Sequence, residues 1–201
     1  MFDARVRRWI DPPLNAVGAW LARRGIHANT VTAWGLTVGL LAAGAIALHH
    51  YTIGFALIAA SRLLDGIDGA VARASAPTDR GGYLDIVCDF AFYASVPLAF
   101  AVADPADNAL PAAALLAGFT MTCASFLGFA TIAEKRGLRT TTSGRKSFFY
   151  SFGLMEGTET IAFLLAMAAF PNTFGALAWL FAGLCLLTTI QRSIGALVTF
   201  R

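Results

Sequence analysis

Six apolar runs divide most of this chain, near residues 31–50, 53–74, 82–103, 109–133, 147–170 and 174–197. Each is long enough to cross a bilayer as a helix. Composition agrees. Of 201 residues, 57% are hydrophobic and 13% charged, with a mean hydropathy of +0.65. That is about half the charge a soluble domain normally carries. The expected fold is therefore all-α: one polytopic membrane domain over residues 1–201, with six transmembrane helices within 31–197.

Residues 1–24 form a separate juxtamembrane segment. Val6, Trp9, Ile10, Leu14, Val17, Trp20 and Leu21 are set against an arginine-bearing face. This pattern predicts an amphipathic helix lying in the headgroup region, or packed on the bundle ends. Pro12 and Pro13 are expected to break or kink it. No small-residue cleavage site follows an apolar core, so the segment is not read as a signal peptide.

All 15 Lys and Arg residues fall in the N-terminal segment, in the second run and the turn after it, between residues 135 and 146, or near the C-terminus. The alternate connections, at His49-His50, Asp104–Asp107 and Pro171-Asn172, contain none. By the positive-inside rule both termini and the basic connections face the cytoplasm of an inner (cytoplasmic) membrane. The second and third runs score poorly on hydropathy because they contain the aspartates, and a window method can miss one of them. Cys88, Cys123 and Cys185 lie singly in apolar surroundings and match no zinc or redox spacing. Small residues such as Gly35, Gly39 and Gly44 are read as helix-packing positions.

Four aspartates stand within 25 residues of this apolar chain: Asp65, Asp68, Asp85 and Asp89. Spacings of three and four put each pair on one helix face. A carboxylate near the middle of a spanning helix costs roughly 2.5–3.5 kcal/mol on insertion scales. Carboxylates without nearby His or Cys suit hard cations such as Mg²⁺, Mn²⁺ or Ca²⁺. Two pairs on adjacent helices can hold two ions, an arrangement that neutralises phosphate groups during displacement at phosphorus. Gly69 and Ala72 share the face of Asp65 without long side chains. Arg73 adds a planar cation suited to phosphate. Arg62 and Arg80 are less well placed in the sequence. Buried Asp–Arg pairing is the plainer alternative, although one arginine does not balance four carboxylates.

The ordered pattern Asp65-x2-Asp68-Gly69-x2-Ala72-Arg73-x7-Gly81-x3-Asp85-x3-Asp89 resembles the signature of the CDP-alcohol phosphotransferase family, with every fixed position present. The resemblance implies an enzyme that transfers a phosphatidyl-type group from CDP-diacylglycerol or a related CDP-alcohol to an alcohol, with release of CMP. It implies that Asp65, Asp68 and Asp85 hold two Mg²⁺ or Mn²⁺ ions. Asp89 would complete the metal site and act as general base. Gly69, Ala72 and Gly81 would line the cytidine pocket beside Arg73. Gly25-Ile-His27-Ala28-Asn29-Thr-Val-Thr32 resembles the family element ahead of the first helix, placing Asn29 and Thr32 near the nucleotide. Ala28 stands where that element usually has proline. Asn29 is equally well read as a helix N-cap. A homodimer is implied by the family alone, and no nucleic-acid partner is expected.

The acceptor side is less determined. Lys135, Arg136, Arg139, Arg145 and Lys146 form a basic connection, read as lipid anchoring or, for Lys135 and Arg145, as an acceptor-phosphate site. Glu156 and Glu159 share a face early in the fifth run and are expected to line a polar cavity or to hydrogen-bond within the bundle. In the phosphoinositol branch of the family, arginines occupy the positions held here by Gly157 and Thr160. Their loss favours a neutral or zwitterionic acceptor alcohol. Phe148, Phe149 and Tyr150 are read as an interfacial aromatic belt. Two other classes fit the acidic cluster: an intramembrane prenyltransferase using Mg-diphosphate, and a non-enzymatic divalent-cation transporter.

Overall fold

A computed structural model describes residues 3–137 and 157–201, with side chains from residue 10 onward. Among the described residues there is no strand. The helices are α1 (Asp3–Arg23), α2 (Ala28–Ala47), α3 (Tyr51–Ser75), α4 (Asp79–Ala103), α5 (Pro105–Lys135), α6 (Gly157–Ala169) and α7 (Phe174–Thr199), with a 3₁₀ turn at Pro171–Thr173. Helices α2 to α7 coincide with the six apolar runs, and the first part of the fifth run lies outside the described residues. The aromatic stretch Phe148 to Tyr150 falls there too.

Four helical stretches are long and apolar enough to cross a membrane: α2, α4, α5 and Pro171–Thr199. Helix α3 falls short because Arg62, Asp65 and Asp68 interrupt its most apolar part. Helix α4 passes because its charges gather at its start, leaving a clean stretch toward Ala103.

Ring contacts fix how the ends align. Tyr51 stacks on Phe100 at 5.8 Å between centroids, and Phe100 on Phe174 at 4.3 Å. The start of α3, the end of α4 and the start of α7 therefore share one end of the bundle. At the other end Phe129 of α5 meets Phe200 at 5.0 Å, and the Arg136 guanidinium lies 5.3 Å from the same ring. The connections without Lys or Arg thus gather opposite the basic ones. Between the ends, Phe92, Val96, Leu115, Leu164, Met167 and Phe181 form a fully buried core. The outside is apolar as well, with Leu110 69% and Leu197 72% exposed, as suits a lipid-facing surface.

Helix α1 runs unbroken through Pro12 and Pro13, so the expected break does not occur. Proline's φ is already helical, and both rings occupy exposed positions. Helix α1 packs along α3. A Cβ on Gly18 would stand 2.6 Å from Ala70 Cβ, and one on Gly66 would stand 2.8 Å from Leu14 Cδ1. These two glycines let α1 approach the acidic half of α3.

Glycine also sets the α2–α4 contact. A Cβ on Gly39 would lie 2.5 Å from Phe92 Cδ2 and 3.0 Å from Ser61 Oγ. Gly35 likewise sits against α3, whereas a Cβ on Gly44 would meet nothing within 4 Å, so Gly44 is not a packing position within the chain. Gly39→Ala is expected to cost about 1–3 kcal/mol through overpacking. A thermal unfolding midpoint unchanged in detergent would show that Phe92 moves aside freely.

Candidate active site

Asp65 and Asp68 project from one face of α3, as their spacing requires. Helix α4 brings Asp85 and Asp89 to them from across the contact. Its start is fixed by Thr78, whose Oγ1 accepts the Gly81 N–H at 3.1 Å. Gly81 is tightly enclosed: an added Cβ would lie 3.1 Å from Thr78 Oγ1 and 3.2 Å from Asn29 Oδ1. Three elements, the first turn of α2, the acidic half of α3 and the start of α4, thereby converge on one acidic pocket.

Asp65, Asp68 and Asp85 each offer a carboxylate oxygen, and these oxygens lie within 4.8 Å of one another. Asp68 is buried at 4% exposure, and its Oδ2 has no hydrogen-bond partner among the described residues. An isolated buried carboxylate oxygen is expensive, so this atom is matched to a cation rather than to protein donors. An all-oxygen donor set from three carboxylates fits a hard divalent ion. The Thr32 side chain lies against Asp68 and also donates to Ala28 O at 3.1 Å.

Asp89 stands beside that trio, its carboxylate against that of Asp65. Its Oδ1 accepts a hydrogen bond from Arg62 Nη1 at 2.6 Å, and the same nitrogen lies 3.4 Å from Asp65 Oδ1. The Arg62 side chain is only 7% exposed, and its guanidinium lies 4.0 Å over the Phe92 ring. Nη2 donates to Ser61 Oγ at 3.2 Å, and that hydroxyl donates to Gly35 O at 2.8 Å. Arg62 is thus the arginine at the cluster, which the sequence reading placed second to Arg73. The signal was present in its position three residues before Asp65. Its bond to Asp89, 27 residues on, depends on how α3 and α4 align.

Arg73 is exposed and donates through Nη2 to Asn15 Oδ1 of α1 at 3.0 Å. Its Nη1 would stand 3.3 Å from a Cβ on Gly69, so it borders the small-residue face without entering the carboxylate cluster. Ala72 lies on that helix turn, half-buried. Asn29 is not the N-cap of α2. His27 holds that position, because the helix starts at Ala28, and it caps without a side-chain hydrogen bond.

On the other side of Asp89 opens a cavity of about 290 Å³, lined among others by Asp85, Asp89, Tyr93, Thr122, Thr160 and Arg192. Glu159, in the first turn of α6, and Lys135, at the exposed end of α5, do not line it. Glu156 and Arg145 lie outside the described residues. Arg192 was read only as a terminal positive charge. A lone arginine inside an apolar run marks a polar interior, and that is where it lies. Its Nη1 donates to Thr122 O at 3.4 Å.

Residues 25–191 match the family model described as CDP-alcohol phosphatidyltransferase. The chain is 41% identical over its full length to the inner membrane protein YnjF of Escherichia coli (strain K12), covering 98% of that protein. It is 33% identical to an archaetidylinositol phosphate synthase of Pyrococcus horikoshii, over 43% of this chain and 46% of that one. The solved phosphatidylinositol phosphate synthase of Mycobacterium tuberculosis with CDP-DAG bound shares the fold at a TM-score of 0.66 and 20% identity, over 91% and 92% of the two chains. With the matched residues spanning the acidic pocket and most of the bundle around it, the chain belongs to the CDP-alcohol phosphatidyltransferase family and is a phosphotransferase of phospholipid synthesis.

Proposed function

We propose that this enzyme transfers a phosphatidyl group from CDP-diacylglycerol, or a related CDP-alcohol, to the hydroxyl of a small acceptor and releases CMP. The observation that carries this reading is the meeting of three carboxylates within 4.8 Å beside a fourth, with Asp85 and Asp89 both lining an adjoining cavity. Two Mg²⁺ or Mn²⁺ ions held by Asp65, Asp68 and Asp85, with Asp89 completing the site, would neutralise the diphosphate and stabilise CMP as leaving group. The protein supplies the rest. Asn29, Thr32, Gly69, Ala72, Arg73 and Gly81 border the nucleotide side, where absent side chains leave room for the cytidine. Asp89 accepts the proton of the acceptor hydroxyl as its oxygen bonds to phosphorus and the bond to CMP breaks.

The cavity beyond Asp89 is the proposed acceptor site. Arg192 on its wall, with the Thr122 and Thr160 side chains, favours an acceptor with an anionic group such as phosphate. The expectation of a neutral or zwitterionic alcohol, drawn from Gly157 and Thr160, stands beside it as the second reading. Glu156 and Arg145, outside the described residues, remain proposed contributors to acceptor binding, as do Glu159 and Lys135 although neither lines the cavity. Membership of the family sets aside the prenyltransferase and cation-transporter readings.

The chain is proposed to be a six-span protein of the inner membrane, with the active site and both termini toward the cytoplasm, where the basic connections gather. Helix α1 would lie at the headgroups, since Ile10, Val17 and Trp20 are each more than 40% exposed. A homodimer is proposed on family grounds.

The test is a screen of purified protein with CDP-diacylglycerol, Mn²⁺ or Mg²⁺, and glycerol 3-phosphate, inositol phosphate, serine, glycerol or inositol. CMP release and lipid product mass are the readouts. Metal-dependent CMP release with a phosphorylated acceptor is expected. Wild-type protein that bound neither cytidine nucleotide nor divalent metal would end this reading.

A further inference from the structure

We infer that Arg62 is a positioning residue for the transfer step: it anchors Asp89 through Oδ1 and so fixes how that carboxylate faces the metal site and the acceptor cavity. The inference rests on the proposed role of Asp89 as base.

The geometry is that of a built support. Arg62 Nη1 holds Asp89 Oδ1 at 2.6 Å, the shortest side-chain hydrogen bond from this guanidinium. Its plane is fixed by the Phe92 ring at 4.0 Å and by Ser61 Oγ at 3.2 Å. Phe92 in turn occupies space that only glycine at position 39 leaves open. A guanidinium keeps its charge at every working pH, so its hold on the partner carboxylate persists and orients that side chain. With Oδ1 anchored, the Asp89 side chain is held where it borders the cavity proposed for the acceptor. The same cation stands 3.4 Å from Asp65 Oδ1, in the trio proposed to bind metal. There it opposes a divalent ion. Arg62 therefore weakens metal binding somewhat while serving the base, and those opposite effects separate a positioning role from a merely structural one.

The experiment compares wild type, Arg62→Gln, Arg62→Lys, Asp89→Asn and the Arg62→Gln/Asp89→Asn double variant as full-length protein in detergent. It measures kcat, KM for CDP-diacylglycerol, and Mn²⁺ binding in the presence of CDP by electron paramagnetic resonance. Arg62→Gln is expected to lower kcat by about thirtyfold or more, with KM changed by less than about threefold. Mn²⁺ should bind as tightly or more tightly, because a repelling charge has been removed. Arg62→Lys should restore part of kcat. The double variant should be no slower than Asp89→Asn by more than about threefold, because Arg62 acts through Asp89. Unchanged kcat in Arg62→Gln, weaker Mn²⁺ binding, or losses that multiply in the double variant would each overturn the inference. Wild-type protein that binds CDP and Mn²⁺ but releases no CMP would instead sink the transfer reading, and this inference with it.

Discussion

Asp89→Asn is expected to lower kcat by about 10²–10⁴-fold, the range associated with removing a positioned general base. The substitution keeps the size and planar shape of the side chain. The amide oxygen can still accept the hydrogen bond that Arg62 Nη1 now gives to Oδ1 at 2.6 Å. What disappears is the ability to take a proton. Asp89 lies outside the trio formed by Asp65, Asp68 and Asp85, so binding of the CDP-linked lipid should survive, with KM within about threefold of wild type. Steady-state CMP release alongside calorimetric binding of CDP with Mn²⁺ separates the two quantities. If the Asn variant turned over within tenfold of wild type, the base would have to be another group. If it lost nucleotide and metal binding together, Asp89 would chiefly be a ligand.

The fold was legible because lipid imposes a simple rule on sequence: long apolar runs, separated by short polar connections, become helices. All six runs reappear as helices, including the aspartate-bearing α3, which hydropathy alone does not mark. Clustering of the aspartates was legible for a similar reason. Spacings of three and four leave little freedom about which face Asp65 with Asp68, and Asp85 with Asp89, must share. What the sequence leaves open lies where the outcome depends on alignment between helices. Arg62 sits at i−3 from Asp65, but only the α3–α4 packing reveals that its principal partner is Asp89. Arg192 reaches the cavity from α7, far along the chain, and no acidic or basic residue stands near it in sequence. Arg73 followed the family pattern yet turns to Asn15 of α1, a partner no local spacing identifies. In α1 the two prolines do not end the helix, and both rings lie on its exposed side.

Asp68→Asn should separate stability from function in opposite directions. Asp68 is the most deeply placed of the four carboxylates whose exposure decides the site, at 4%, and its Oδ2 has no protein donor among the described residues. In the metal-free protein that charge is compensated only by the Thr32 side chain and the Gly69 backbone N–H beside it, among the described residues. Replacing it with a neutral amide removes a desolvation penalty, so the metal-free variant should unfold at the same temperature as wild type or higher. With metal the sign reverses. The donor set loses one anionic ligand of three, and Mn²⁺ affinity in the presence of CDP should fall by about a hundredfold or more, equivalent to about 2.8 kcal/mol. Turnover should fall at least as far, because Asp68 lies in the trio proposed to hold the diphosphate through metal. Raising Mn²⁺ should recover only part of it. Thermal scans with and without Mn²⁺ and CDP provide the check: wild type should gain stability from the ligands, and the variant should gain little. A variant that was less stable without metal would mean that Asp68 serves the fold through a protein partner. One that kept its ligand-induced stabilisation would place the metal ions elsewhere.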